Sequence, residues 1–175
     1  MRSNYRPKST ILCTPPGYRR PDPRDQRPTV FLGGSIEMGA AQDWQSGAFD
    51  QIKNRTAVVY NPRRADWDST WVQSPENDQF SNQVHWEMDR IDEATFVLLH
   101  FEPDTKSPIT LGELYWCLAK KPQDTIVSCP EGFWRRGNVQ IMCERENVVC
   151  HGSLDEAMAD LQERILSRMD LALYG

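Results

Sequence analysis

Five short apolar runs, each separated from the next by a segment of different periodicity, constrain this chain more than any other feature of it. They are Thr29-Val30-Phe31-Leu32, Ala57-Val58-Val59-Tyr60, Phe96-Val97-Leu98-Leu99-His100-Phe101, Thr125-Ile126-Val127-Ser128 and Val148-Val149-Cys150. Consecutive apolar positions over so short a length suit strands covered on both faces. The segments between them carry helical spacing. A first helix is expected from about Ala40 to Lys53, and a second from Gln79 to Glu93 with Phe80, Val84, Met88 and Ile91 on one face. Leu111, Leu114, Tyr115 and Leu118 mark a third, and a short fourth runs from Val139 to Arg145. Ser153 and Glu156 form a capping box for the last helix, whose inner face is Leu154, Met158, Leu161, Ile165 and Met169. Strands alternating with helices predict an α/β domain: a five-stranded parallel sheet covered on both sides by helices.

This pattern begins only at Thr29. Residues 1–28 hold half of the twelve prolines together with Arg2, Arg6, Lys8, Arg19, Arg20, Arg24 and Arg27. Few apolar residues and frequent proline predict an extended or disordered arm, leaving residues 29–175 as the single folded domain. At 39% hydrophobic content the chain has enough material for one core. A net charge of −5 argues against a partner such as a nucleic-acid polymer, which would need a basic excess. No apolar run is long enough for a membrane span, and no signal peptide opens the chain. Five cysteines without a C-x-x-C pair suggest reduced thiols in a cytoplasmic setting, and His85, His100 and His151 have no metal-ligand spacing. Neither a metal nor another cofactor is expected.

Ligands of open parallel sheets bind beyond the carboxyl ends of the strands. Three loops there hold unusual residues. Gly33-Gly34-Ser35 permits close backbone approach. Asn61-Pro62-Arg63-Arg64-Ala65-Asp66-Trp67, continuing to Trp71, places two tryptophans in a polar loop, where they must cover a flat ligand, the core or a subunit interface. Ser107-Pro108-Ile109-Thr110-Leu111-Gly112-Glu113 leads into the third helix, and a glutamate in a first turn is held ionised by exposed N–H groups. Glu87, on the second helix, is a second carboxylate that can share acid/base work with it. Plain alternatives fit each signal singly: a strand-to-helix turn, a local ion pair, an ordinary helix start.

Taken in order, these motifs resemble the nucleoside 2-deoxyribosyltransferase family. They are F-L-G-G-S-I at Phe31 to Ile36, N-P-R-R-x-D-W at Asn61 to Trp67, Q-V-x-W-E at Gln83 to Glu87, S-P-I-T-L-x-E-L at Ser107 to Leu114, and Gly137-Asn138-Val139. The resemblance spans Thr29 to Cys150. It implies a flavodoxin-like, Rossmann-like three-layer sandwich and a double displacement on a nucleoside. In that scheme Glu113 is the nucleophile that takes the sugar as an ester, and Glu87 stands where the family has an aspartate for base and sugar contacts. Phe31, Gly33, Gly34, Ser35, Asn61, Arg63, Asp66, Trp67 and Ser107 line the substrate. Asn138 reaches the sugar 5′-hydroxyl in a neighbouring subunit, which implies a homo-oligomer, and Tyr174 falls near the family's terminal tyrosine. The implied partners are a nucleoside or nucleotide and a free nucleobase.

Two positions depart from the transferases. Phe31 replaces a tyrosine that orients the nucleophile. Ser107 replaces an aspartate that recognises the base, and matches the serine of related 2′-deoxynucleoside 5′-phosphate N-hydrolases, as does Ser35. A transferase, an N-glycoside hydrolase acting on nucleosides or their 5′-monophosphates, and a non-catalytic nucleotide-sensing module are therefore three readings of one site.

Overall fold

A computed structural model describes residues 9–17, 25–36 and 42–174, the last four as backbone only. Most of the basic arm, the expected start of the first helix at Ala40 and the side chain of Tyr174 lie outside the described residues.

Among the described residues, six parallel strands form one sheet in the order β1-β3-β2-β4-β5-β6. They are β1 (Ile11–Cys13), β2 (Thr29–Gly34), β3 (Val58–Tyr60), β4 (Phe96–His100), β5 (Thr125–Ser128) and β6 (Cys150–His151). The helices are α1 (Trp44–Ile52), α2 (Asp78–Glu93), α3 (Pro108–Lys120), α4 (Arg136–Arg145) and α5 (Leu154–Tyr174). The sixth strand is β1, drawn from within the stretch read as an arm. It pairs along β3, Ile11 opposite Val58 and Cys13 opposite Tyr60. An edge strand of three residues is too short to show any periodicity in the sequence. Its outer residues Ile11 and Leu12 stay about two-fifths exposed, at 41% and 42%.

The period-two pleat of the central strands sorts their side chains into two cores. Val30, Leu32, Val59, Phe96, Leu98 and Ile126 meet Trp44, Ala48 and Ile52 of α1 and Met158, Leu161 and Ile165 of α5. Phe31, Val58, Tyr60, Val97, Leu99 and Val127 face the other way, onto Trp86 and Ile91 of α2, Leu114 and Cys117 of α3, and Val139 and Cys143 of α4. This is the expected three-layer sandwich. Every residue of β4 is buried, as suits the middle of such a sheet.

Two boundaries moved. Val148 is not in a strand: its N–H bonds to the Cys143 carbonyl in the turn that leaves α4, and β6 starts only at Cys150. The α4 helix begins before Val139, at Arg136, without a capping side chain that could have announced it.

Candidate active site

Strand β2 lies between β3 and β4, so the chain leaves it toward one side and then crosses back to the other. The loops after β2, β3 and β4 meet at that reversal, where the carboxyl ends of the strands leave a crevice. It holds a cavity of about 430 Å³, walled by these loops, α2 and the first turns of α3. That volume suits a small organic ligand.

Glycine is obligatory at the floor. A Cβ on Gly34, whose φ is +153°, would lie 2.3 Å from the His100 carbonyl oxygen, and one on Gly33 would meet the Leu99 and Phe31 side chains. This close packing carries β2 to Ser35, whose N–H donates to the His100 carbonyl at 3.0 Å. The Ser35 hydroxyl accepts from the Glu102 N–H at 3.0 Å and also lies 2.5 Å from the Ser107 hydroxyl. Thr105 closes the group, 2.9 Å from each serine oxygen.

Ser107 stands at the N-cap of α3 in the left-handed region, φ 44°, and Pro108 takes the first helical position. Its side chain makes no capping bond to the helix. The strained backbone instead aims that hydroxyl at Ser35.

Along α2 the positions 80, 83, 84 and 87 share one face, spaced i, i+3, i+4 and i+7. Phe80, Gln83, Val84 and Glu87 all line the cavity. The same stripe continues into the core as Arg90 and Ile91, both buried, whereas Met88 is 46% exposed. The expected apolar face of this helix is thus divided: its first half walls the cavity and its second half packs on the sheet. Gln83 Nε2 donates to Glu87 Oε1 at 2.7 Å and to the Pro62 carbonyl at 3.0 Å. Burial pushes the Glu87 carboxyl up to about 7, against the opposing pull of that Gln83 bond.

Glu113 corrects an expectation. No acidic residue lies in the first turn of α3, and Glu113 falls in the second, where backbone N–H groups are already spent inside the helix. Among the described residues, no group there favours its ionised form. Burial, and then the charge of Glu87, push its carboxyl up to about 8. Near neutral pH the two carboxyls therefore hold protons that ordinary surface carboxyls would have lost.

The loop after β3 is internally braced. Asn61, 5% exposed, accepts the Arg63 N–H on its side-chain oxygen at 2.9 Å. Asp66 grips Arg64 with two bonds of 2.7 Å, while the guanidinium lies 4.8 Å from the centre of the Trp71 ring. Trp71 in turn meets Trp67 edge-on at 5.1 Å. Trp67, Arg63 and Arg64 reach the cavity wall.

Of the residues singled out in the sequence, Gly33, Gly34, Ser35, Arg63, Trp67, Glu87, Ser107 and Glu113 line this cavity. Four do not. Phe31 is fully buried in the core, Asn61 acts through the loop turn, Asp66 sits outside holding Arg64, and Asn138 is exposed on α4. Sequence reasoning met Arg64 and Gln83 within motifs without assigning either to the substrate, and missed the cavity role of Phe80 and Val84. The i, i+3, i+4, i+7 stripe ending on Glu87 was the signal that could have found the α2 residues. Among the described residues, no three histidine, cysteine, aspartate or glutamate side chains group to hold a metal, and no helix is long and apolar enough to cross a membrane.

Residues 27–133 match the family described as nucleoside 2-deoxyribosyltransferase like. The chain belongs to this family, and the matched span contains every wall of the cavity. No curated protein matches it. Among solved structures, a conserved protein from Enterococcus faecalis V583 is similar over 81% of this chain and 99% of its own, with a TM-score of 0.54 and 12% identity. At that identity the likeness speaks for the fold alone.

Proposed function

We propose that this protein cleaves the N-glycosidic bond of a nucleoside and passes the sugar to another base, through an ester on Glu113. The observation that carries the reading is the pair of half-buried, desolvated carboxyls, Glu113 and Glu87, on the wall of one nucleoside-sized cavity in a member of this family. Glu113 gives its proton to solvent as the sugar binds, the positive charge developing at the anomeric carbon favouring its anion over that of Glu87, and an oxygen of it attacks that carbon as the carbon–nitrogen bond breaks. The electron pair leaves with the base nitrogen, which takes up the proton held by Glu87. In the second half a nitrogen of the incoming base attacks the same carbon, the ester bond breaks, and the proton of that nitrogen returns to Glu87. A carboxyl near 7 suits this two-way traffic, because it gives and accepts a proton at comparable cost. Trp67 and Phe80 offer flat apolar surface for the base, and Arg63 and Arg64 offer donors for its carbonyl groups.

One observation favours a second reading, hydrolysis of a nucleoside 5′-monophosphate. Ser35, Ser107 and Thr105 gather three hydroxyls, and Ser35 and Ser107 lie on the cavity wall. Hydroxyls that bond to one another can turn instead toward phosphate oxygens. A pair of carboxyls tuned by burial is difficult to account for in a purely sensing module.

An oligomer in which Asn138 serves a neighbouring site belongs to the same proposal. It is supported by the exposure of Trp134 (48%), in the turn before α4, and of Ile141 (67%), on α4 beyond Asn138. Five free cysteines, three of them buried, fit work in a reducing, cytoplasmic compartment.

The deciding experiment supplies a 2′-deoxynucleoside with and without a second free base. A new nucleoside in the second tube establishes transfer, and free sugar in both establishes hydrolysis. Activity only on 5′-monophosphates favours the second reading, and no product from any nucleoside or nucleotide sinks both.

A further inference from the structure

Gln83 lies one helical turn before Glu87 and is 5% exposed. Both protons of its amide nitrogen are committed, one to Glu87 Oε1 and one to the Pro62 carbonyl. Reversing the amide would set its oxygen against the Pro62 carbonyl, which can only accept, so the orientation is fixed by its surroundings. The consequence falls on Gln83 Oε1, which is buried with no hydrogen-bond partner among the described residues. A buried amide oxygen left unpaired is a costly way to fill a helix–loop contact that methionine or leucine would fill without polar atoms. What only the amide supplies is a simultaneous donor to two acceptors. These belong to different parts of the cavity wall: Glu87 projects from α2, and Pro62 opens the loop that carries Arg63, Arg64 and Trp67.

We propose that Gln83 is a positioning residue: its amide fixes the Glu87 carboxyl and ties it to the Asn61–Trp67 loop, so that the acid/base group and the ligand-facing loop are placed as one unit. The catalytic consequence rests on the reading of Glu87 given above; the coupling itself does not. Among the described residues, the charged and titratable groups sharing this cavity wall with Glu87 are Glu113 from α3 and Arg63 and Arg64 from the loop. Gln83 makes the hydrogen bond that opposes the effect of burial on Glu87.

The test needs no turnover. In protein carrying ¹³C-labelled glutamate, the Glu87 carboxyl is titrated by NMR, assigned through Glu87→Gln, in the native chain and in Gln83→Met. Methionine keeps the length and volume and removes the donor, and Gln83→Leu serves the same purpose should the first variant not fold. Loss of the donor raises the Glu87 midpoint by about one pH unit. It also speeds hydrogen exchange of the backbone amides across residues 61–67 by roughly tenfold, as the loop loses its anchor. An unchanged midpoint, or unchanged exchange in that loop, overturns the proposal. With a substrate in hand, Gln83→Met lowers kcat about tenfold and adds nothing further on a Glu87→Gln background. A full additional loss there overturns action through Glu87. A shifted midpoint in a protein that turns over no nucleoside upholds the coupling and rejects the catalytic reading of Glu87.

Discussion

Two helix starts in this molecule begin with serine and have a glutamate downstream, and they are built to opposite ends. At α5, Ser153 accepts the Glu156 N–H on its side chain at 3.2 Å, and Glu156 reaches back to the Gly152 N–H at 2.9 Å. The polar groups satisfy one another at the surface, which is a helix start made for stability. At α3, Ser107 caps nothing, holds a left-handed backbone and turns its hydroxyl to Ser35, while Glu113 is half-buried a turn further on. Here polar groups are held away from the partners that would stabilise the helix and are presented to a cavity. The same residue types thus mark a structural feature in one place and a candidate reaction centre in the other. What separates them is whether their bonds close locally.

Substitutions at the two starts should therefore separate activity from stability. The largest effect is expected at α3, where Glu113→Gln lowers turnover by at least about 10³-fold, as removal of a nucleophile does. Retention of native turnover would remove Glu113 from the mechanism. The same variant should be more stable than the native chain in alkaline solution. Its folded carboxyl titrates near 8 against 4.5 ordinarily, so the native state holds the proton that the unfolded chain has already released. Stability is then highest below about 4.5, falls as pH rises toward 8, and levels off above it. Glu113→Gln should flatten this slope and raise Tm at pH 8 by several degrees, with little change at pH 4.5; thermal melts across pH decide it. Equal gains at both pH values would reject a desolvated, proton-holding carboxyl.

Ser107→Ala comes next. It is expected to raise KM about tenfold, through the loss of one hydroxyl from the cavity, and to lower Tm by a few degrees through the lost bonds to Ser35 and Thr105 rather than through a lost cap. If a 5′-monophosphate loses far more affinity than the matching nucleoside, the serine cluster is a phosphate site. Ser153→Ala gives the smallest functional effect: about 1 kcal/mol of stability lost, or roughly 2–4 °C in Tm, with kinetics unchanged. Altered kinetics there would blur the contrast between the two starts.

How legible these features were depended on how local their causes are. The five apolar runs gave the central strands and the two-sided cover, because pleat and burial act residue by residue. The three loops beyond the strand ends pointed to the cavity through Gly33, Gly34, Ser35, Trp67 and Ser107. Strand β1 was hidden because three residues of an edge strand owe their conformation to β3, not to any pattern of their own. Asp66 looked like a ligand contact, but its carboxylate is taken by Arg64, a pairing that depends on how the loop folds over Trp71. Gln83 looked like one more polar residue on a helix, and only the approach of Pro62 gives its amide a second acceptor.

The alternation of strands and helices, the family and the two glutamates worth watching are all legible along the chain, because periodicity and ordered motifs are written in it. The protonation of those glutamates is set by how the elements pack. A reading of α3 alone makes Glu113 an anion at a helix start. Burial among three loops and two helices, with Glu87 on the same wall, makes it a carboxyl that keeps its proton to about 8. Desolvation and the repulsion of a second charge depend on what surrounds a group in space, and neither has a signature in the order of residues.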